Sequence, residues 1–292
     1  MSLYKKARLQ WQDALIVGTL TSVEHSMASS ILLSSVAKRL EGKVALITGG
    51  ASGLGECTAK LFARLGARVV VADIQDHKGR VLCDSLGPDT ASYFHCDVTK
   101  ESDVASAVDA AVARHGKLDV MFSNAGVAGP WKKSFPDCEV DDFQRLMSVN
   151  VTGVFLTTKH AARVMTPARQ GSIVITASTA STIAGLLVPH AYTCSKHAVV
   201  GLMRSAAAEL GKHGIRVNCV SPHVVATPLA MASFDLDKEA FEATIERSAN
   251  LKGVRLGAED VAQAVAYLAG DESRYVSGVN LLLDGGFTIA KG

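Results

Sequence analysis

A tyrosine and a lysine lie four positions apart in the segment "AYTCSKHAVVGL" (191–202). On a helix, residues i and i+4 share one face, so the side chains of Tyr192 and Lys196 are expected to lie one turn apart. A free phenol has a pKa near ~10 and is a poor base at neutral pH, but a nearby ammonium group stabilises the phenolate. The pair could therefore supply general acid/base catalysis. Many ordinary helices contain the same spacing, so the motif becomes specific only with companions.

A glycine-rich segment, "TGGASGLG" (48–55), follows an apolar run and precedes a helical pattern. Gly49, Gly53 and Gly55 leave room for backbone N–H groups to approach a pyrophosphate, whose charge the helix N-terminus favours. Glycines also serve tight turns, so the turn alone is weak evidence. Its position between a strand and a helix at the start of the fold favours dinucleotide binding.

An aspartate, Asp73, ends the second apolar run. At this distance beyond the glycine turn, a carboxylate would accept hydrogen bonds from the adenosine ribose hydroxyls and repel a 2′-phosphate. Ile74 follows it, and the turn residues 50–52 are not basic, so the sequence favours NAD over NADP. The alternative is an ordinary turn residue at a strand end.

Strand and helix patterns alternate from residue 41 onward. We predict strands over 43–47, 67–73, 92–97, 118–124, 172–178, 216–221 and 279–286. Helical patterns between them include 53–65, 101–114, 141–167, 191–212 and 258–269. Several strands are continuous β-branched runs, which is typical of strands buried on both faces. The alternation predicts an α/β fold, a single doubly wound Rossmann domain with a mostly parallel seven-stranded sheet flanked by helices.

Composition narrows the class of protein. The chain has 292 residues, 48% hydrophobic residues and a formal net charge of +2, with no basic stripe for nucleic acid. Six scattered cysteines argue against both a zinc site and a disulfide framework, so we expect no metal. No segment suits a membrane span. Reduced cysteines favour a cytoplasmic protein.

The segment 1–40 is expected to be an N-terminal extension outside the catalytic domain (41–292), either disordered or derived from cloning. "SLYKKA" (2–7) resembles the translated linker of a recombination-cloning site, and Met27 is the expected natural start. The apolar run "ALIVGTL" (14–20) is too short for a signal peptide or a span.

A set of motifs in a fixed order gives the tyrosine and lysine their companions. They are "TGGASGLG", "CDVT" (96–99), "SNAG" (123–126), the asparagine of "SVNVTG" (148–153), a serine after "IVITAS", "YTCSK" (192–196) and "VNCVSP" (217–222). Over about 41–288 the chain thereby resembles the short-chain dehydrogenase/reductase superfamily. It looks most like the plant NAD-dependent branch that includes secoisolariciresinol, xanthoxin, borneol and isopiperitenol dehydrogenases.

The resemblance implies a role for each matching residue. Tyr192 would be the general acid/base, Lys196 would lower its pKa and hold the nicotinamide ribose, and Asn150 would support a water on Lys196. The remaining cofactor-binding positions would be Gly49, Ser52, Gly53, Leu54, Gly55, Asp73, Ile74, Asp97, Val98, Asn124, Ala125, Gly126, Val225 and Thr227. Thr227 would bond the nicotinamide carboxamide, and Asp97 and Val98 would meet the adenine.

The serine of the resemblance is open to three assignments. The usual family spacing before the tyrosine falls on Thr179, whereas the strand "SIVITAS" (172–178) points to Ser178, one position earlier. Ser178 is preferred, a Thr179 hydroxyl could do the same work, and Ser181 is a distant third. His223 stands where the family often has glycine and is interpreted mainly as a loop residue.

The substrate walls are expected to be apolar. The loop 127–138, the segment 182–190 and a lid at 228–252 supply Trp131, Ile183, Leu186, Leu187, Val188, Leu229, Met231 and Phe234. Such walls suit a hydrophobic secondary alcohol, for example a terpenoid such as borneol. The resemblance also implies a homotetramer. The rivals are an NADPH-dependent ketone reductase and a non-catalytic NAD-binding protein of the same fold.

Overall fold

The computed structural model describes residues 38–132, 134–184, 188–231, 239, 243, 245–246 and 249–289. From Leu40 onward the chain forms one compact unit. Leu40 itself, which the sequence analysis placed in the extension, is fully buried, and its N–H donates to the carbonyl of Leu65. Residues 1–37 lie outside the described residues.

Seven strands form one sheet, in the order β3-β2-β1-β4-β5-β6-β7. They are β1 (Val44–Thr48), β2 (Arg68–Asp73), β3 (Ala91–His95), β4 (Val120–Ser123), β5 (Gly171–Thr176), β6 (Ile215–Pro222) and β7 (Asn280–Leu283). All six pairings are parallel, so the predicted doubly wound sheet is confirmed, and "mostly parallel" becomes wholly parallel.

The helices that the structure describes flank this sheet. They are α1 (Gly53–Arg64), α2 (Asp76–Leu86), α3 (Glu101–His115), α4 (Val140–Met147), α5 (Gly153–Ala168), α6 (His190–Leu210), the single turn α7 (Pro228–Met231) and α8 (Ala258–Ala269). The predicted helix at 141–167 is wrong in one respect, because a π-helical turn at Ser148–Thr152 separates α4 from α5.

Alternate residues of the central strands enter two separate cores. On one face, Leu46 and Met121 pack with α3, α5 and α6, whereas on the other Ile47 and Phe122 pack with α1, α2 and α8. Burial on both faces explains the continuous apolar strand runs. The strand order reverses between β1 and β4, and ligands of such sheets bind at that reversal, beyond the carboxyl ends of the strands.

Candidate active site

The glycine turn lies directly beyond β1, at this reversal. Gly49 and Gly53 adopt positive φ angles of 61° and 56°, which side chains rarely tolerate. Gly55 has a different reason, because a Cβ there would overlap the carbonyl oxygen of Gly49 and lie 2.8 Å from the side-chain nitrogen of Asn124. The turn therefore needs glycine at these three positions for its backbone angles and its close packing.

The first helical N–H groups of α1 follow the turn. Ser52 is the N-cap residue, with extended backbone, and its side chain makes no capping bond within the described part of the chain. Uncapped N–H groups at a helix N-terminus form a site for an anion. Leu54, in the first turn, packs partly buried against the core.

Asp73 lies beside the turn and is 5% exposed. One carboxylate oxygen accepts the N–H of Ala51 at 3.0 Å, and the other accepts the N–H of Gln75 at 2.9 Å. These bonds fix the carboxylate beside the glycine turn. Ile74 is 61% exposed.

The residues after β3 and β4 complete the cofactor side. Asn124 donates to the carbonyls of Thr48 and Gly49 at 3.2 Å each, so it clamps the glycine turn. Ala125 donates its N–H to the Thr48 hydroxyl at 3.2 Å, and Gly126 lies against the Asn150 carboxamide. Beyond β3, the Asp97 carboxylate accepts from Thr99, and Val98 packs against Gly153.

Tyr192 and Lys196 both lie on α6, as the spacing predicted, with the lysine Nζ 5.3 Å from the phenol ring centroid. Lys196 is buried, and its Nζ donates to the carbonyl of Thr176 at 2.8 Å. Burial lowers the pKa of Lys196 to about 8, partly offset by the nearby Cys219 thiol.

Two influences act on the phenol of Tyr192. Desolvation raises its pKa above the ordinary value, and Ser178 lowers it. The Lys196 ammonium bonds the carbonyl at the end of β5 while staying beside the phenol ring. The expected effect of Lys196 on the phenol pKa stays a prediction.

Ser178 is the hydroxyl that lowers the pKa of Tyr192. Its Oγ accepts the backbone N–H of Ala180 at 3.2 Å, which leaves its own proton available for donation. Thr179 is buried and begins a 3₁₀ turn (Thr179–Ser181). The geometry therefore favours Ser178 over Thr179.

Asn150 lies in the π-helical turn and is 1% exposed. Its carboxamide exchanges two bonds with the backbone of Val127, at 2.8 and 2.9 Å, and donates to the Ser195 hydroxyl at 3.2 Å. The π-turn aims this amide inward, and π-turns are frequent at functional sites. Asn150 thus ties the loop after β4 to the helix that carries Tyr192.

Thr227 and Val225 follow β6 and reach the glycine turn. A Cβ at Gly53 would lie 3.5 Å from Cβ of Thr227, so the two ends of the cleft meet there. Val225 is buried, and its carbonyl accepts the Thr227 N–H at 2.7 Å. The structure thus places Thr227 beside the glycine turn, and its contact with the nicotinamide stays a prediction.

The predicted substrate walls are described in part. Leu186, Leu187 and Phe234 lie outside the described residues, as does most of the lid at 228–252. Phe135, in the loop 127–138, packs on His190 with ring centroids 4.8 Å apart, just before Tyr192 in the chain. His223 stacks on Phe287 at 4.2 Å, and burial lowers its pKa.

Several residues that hold the site were missed from the sequence. Thr176 accepts from Lys196 and donates its hydroxyl to Asn124 at 3.0 Å, so it joins the two halves of the site. Gln75 donates to the Asp73 carboxylate. The positions at strand ends were a signal for Thr176 and Gln75, but their partners depend on tertiary packing.

Burial of the charged Lys196 side chain should lower the free energy of unfolding by a measurable amount. Because its folded pKa is about 8, below the ordinary 10.5, the folded state binds fewer protons between those values, and stability should rise with pH there. Below pH 8 the cost of the buried charge is fully present. We expect Lys196→Met to raise the free energy of unfolding of the cofactor-free protein at pH 7 by about 1–3 kcal/mol.

Urea unfolding at about pH 7 and about pH 10 checks this. The advantage of Lys196→Met over wild type should shrink at the higher pH, where the wild-type lysine is neutral in the folded state. A variant less stable than wild type by the same amount at both pH values would contradict the expectation.

A Rossmann sheet with this glycine turn and a serine, a tyrosine and a lysine beside it defines a class of oxidoreductase. Residues 49–288 match the family model described as enoyl-(acyl carrier protein) reductase. The chain belongs to the short-chain dehydrogenase/reductase family, whose members are oxidoreductases that use nicotinamide cofactors.

Known proteins resemble the chain over most of its length. It is 60% identical to momilactone A synthase of Oryza sativa subsp. japonica over 263 residues, covering 90% of this chain and 96% of that protein. It is 55% identical to the mitochondrial borneol dehydrogenase of Lavandula x intermedia, covering 88% and 95%. The crystal structure of 3-ketoacyl-(acyl-carrier-protein) reductase from Brucella melitensis, complexed with NADH, superposes with a TM-score of 0.76 at 35% identity, covering 86% and 100%.

Two expectations about location and assembly stay predictions. Among the described residues, no helix has the length and apolar character needed to cross a bilayer. The cytoplasmic compartment and the homotetramer are not tested by the fold or by these likenesses.

Proposed function

We propose that this protein is an NAD-dependent oxidoreductase that interconverts a hydrophobic secondary alcohol and its ketone. The observation that carries the proposal is the placement of Tyr192 and Lys196 on one face of α6, with the Lys196 Nζ 5.3 Å from the phenol ring centroid. Ser178, at the end of the neighbouring strand, lowers the pKa of that phenol. The likeness to a borneol dehydrogenase supports a terpenoid or similar alcohol.

The cofactor side fits a dinucleotide. The pyrophosphate would lie over Gly49, Gly53 and the N-terminus of α1, where the positive φ angles favour glycine and no side chain caps the helix among the described residues. Asp73 would take the adenosine ribose, and Thr227 the nicotinamide end. When bound, NAD supplies the acceptor for the hydride of the substrate carbinol carbon.

The protein's own residues manage the proton. The substrate hydroxyl would lie between Ser178 and Tyr192, and the Ser178 hydroxyl, already polarised by the Ala180 N–H, would stabilise the developing alkoxide. Tyr192 as phenolate accepts the proton, and Lys196 holds positive charge beside it. In the reduction direction Tyr192 returns the proton to the ketone oxygen.

Cofactor choice should depend on the Asp73 carboxylate. We expect wild type to bind NADH more tightly than NADPH. Asp73→Asn should lower the ratio of the two affinities roughly 10-fold or more. The variant loses the charge-assisted hydrogen bonds to the ribose of NADH, and it no longer repels the 2′-phosphate of NADPH. Binding titrations with both cofactors measure the ratio. Asp84→Asn, an exposed carboxylate on α2, is the matched control and should leave the ratio unchanged.

The substrate class is tested by a panel of terpenoid, steroid and lignan secondary alcohols offered with NAD or NADP, followed by the absorbance of the reduced cofactor. The proposal expects turnover with NAD and an apolar alcohol. Turnover only with NADP would favour the ketone-reductase rival, and no turnover across the panel would favour a non-catalytic NAD-binding protein.

A further inference from the structure

A polar network of two buried serines and one half-buried asparagine lies beside Ser178, and the catalytic steps above do not use it. It consists of Ser181, Ser221 and Asn280, which come from the 3₁₀ turn, the end of β6 and the start of β7. Ser181 and Ser221 are 7% and 0% exposed. Ser181 is also the serine that the sequence analysis ranked third for the catalytic role.

The hydrogen bonds of this network all run in one direction, from Ser221 through Asn280 and Ser181 to Ser178. The Ser221 hydroxyl donates to the Asn280 carboxamide oxygen at 2.6 Å, a distance that suits O–H···O. The Asn280 amide nitrogen donates to Ser181 Oγ at 3.1 Å, a distance that suits N–H···O. Ser181 then donates its hydroxyl to the carbonyl of Ser178 at 2.6 Å.

A count of protons supports this direction. Each hydroxyl has one proton to donate. Ser181 donates its proton to the Ser178 carbonyl, and Ser221 donates its proton to the Asn280 carboxamide oxygen. The 3.3 Å approach of the two serine oxygens is therefore a contact rather than a further donation. Bonds that follow one another in this way polarise each other, so the last bond of the chain is strengthened.

The chain of bonds ends on the backbone that carries the catalytic hydroxyl. The carbonyl of Ser178 accepts both the Ser181 hydroxyl and the Ser181 N–H, the latter at 2.8 Å. The Ala180 N–H of the same turn bonds Ser178 Oγ. The network thus anchors the turn at its first residue, the residue that carries the Ser178 hydroxyl.

We propose that Ser181, Ser221 and Asn280 are positioning residues that fix the backbone of Ser178 and thereby place its hydroxyl for the reaction at Tyr192. The proposal rests on the proposed function, because it deepens the role of the same site. In this proposal Ser181 acts through Ser178 and does not touch the substrate. Asn280, at the start of β7, supports the active site in the same indirect way.

The expected effects follow from the displacement of Ser178. Ser181→Ala removes the donor to the Ser178 carbonyl, and Asn280→Asp keeps the acceptor for Ser221 but removes the donor to Ser181. Each should lower kcat by about 10-fold to 100-fold, since small misplacements of a catalytic group have effects of that order. NADH affinity should stay near wild type, because the glycine turn and Asp73 are untouched.

The pH profile separates positioning from a general loss of structure. Ser178 lowers the pKa of Tyr192, so its displacement should move the rising limb of kcat for alcohol oxidation to higher pH, by up to about one pH unit. Lys196 on α6 and Cys219 on β6 are the titratable groups beside this pair, and neither is changed by the variants. Ser181→Thr, which keeps the hydroxyl, should restore most of the rate and the profile.

The matched control is Ser172→Ala. Ser172 is 2% exposed on β5 and donates its hydroxyl to the Leu268 carbonyl at 2.8 Å, away from the site. It should leave kcat and the pH profile unchanged. Losses in Ser181→Ala and Asn280→Asp no larger than in this control, or losses without a shift of the profile, would overturn the proposal. If Ser181→Ala does not fold, Asn280→Asp decides it by the same criteria.

A measurement without turnover distinguishes this proposal from the proposed function. Ultraviolet titration of the cofactor-free protein, with Tyr192→Phe subtracted, follows ionisation of the Tyr192 phenol alone. The phenol should ionise at higher pH in Ser181→Ala than in wild type even if no alcohol in the panel is oxidised. An unchanged titration would overturn the positioning role, while wild-type inactivity across the panel would bear only on the proposed function.

Discussion

Tyr192→Phe should lower kcat by ~10²–10⁴-fold, which is the range that general acid/base catalysis contributes. The substitution removes only the phenol oxygen, and with it the titratable group whose pKa Ser178 lowers. The ring stays, so the packing beside Lys196 and the cleft for NAD are retained. Steady-state rates with NAD and the best alcohol of the panel, together with NADH binding, measure the split between kcat and affinity.

The control for this variant is Tyr275→Phe, because Tyr275 is fully exposed. It loses the same atom and should keep the wild-type rate. A Tyr192→Phe protein that retained half of the wild-type rate would exclude the phenol as the acid/base. The same holds if NADH affinity fell as steeply as kcat, since the tyrosine would then be a binding residue.

Gly55→Ala should weaken NADH binding by at least ~10-fold and destabilise the fold by about 1–3 kcal/mol, the usual cost of overpacking. The added methyl would overlap the Gly49 carbonyl and crowd Asn124, which clamps the turn. Because the obstacle is backbone, the turn must move away from the position in which its N–H groups meet a phosphate. Titration with NADH and thermal unfolding report the two effects.

Gly211→Ala is the matched glycine control. Gly211 has a helical φ of −56°, and a Cβ there meets no atom within 4 Å, so the substitution should be neutral or slightly stabilising. Gly55→Ala with wild-type affinity for NADH would contradict the assignment of the turn to the pyrophosphate.

The sequence was informative where local pattern decides structure. Apolar runs placed all seven strands to within a few positions, since strands buried on both faces leave a continuous signal. The glycine spacing placed the turn, and the i, i+4 spacing placed Tyr192 and Lys196 on one helix face. The π-turn at 148–152 was missed, because nothing in a helical pattern marks a single wider turn.

Contacts between distant segments account for the remaining differences. Lys196 bonds the Thr176 carbonyl, and a spacing rule cannot locate that acceptor. The choice between Ser178 and Thr179 depended on the direction of a 3₁₀ turn. Ser181 and Asn280 are far apart in the chain, and only the pairing of β6 with β7 brings the asparagine to the serine.

Transfer of a deuterium label tests the central claim most directly. A secondary alcohol oxidised in the panel, deuterated at its carbinol carbon, is incubated with NAD and the protein, and the nicotinamide product is analysed by mass spectrometry. We predict singly deuterated NADH with wild type and almost none with Tyr192→Phe. Unlabelled NADH from wild type, or equal labelling by the two proteins, would contradict this claim.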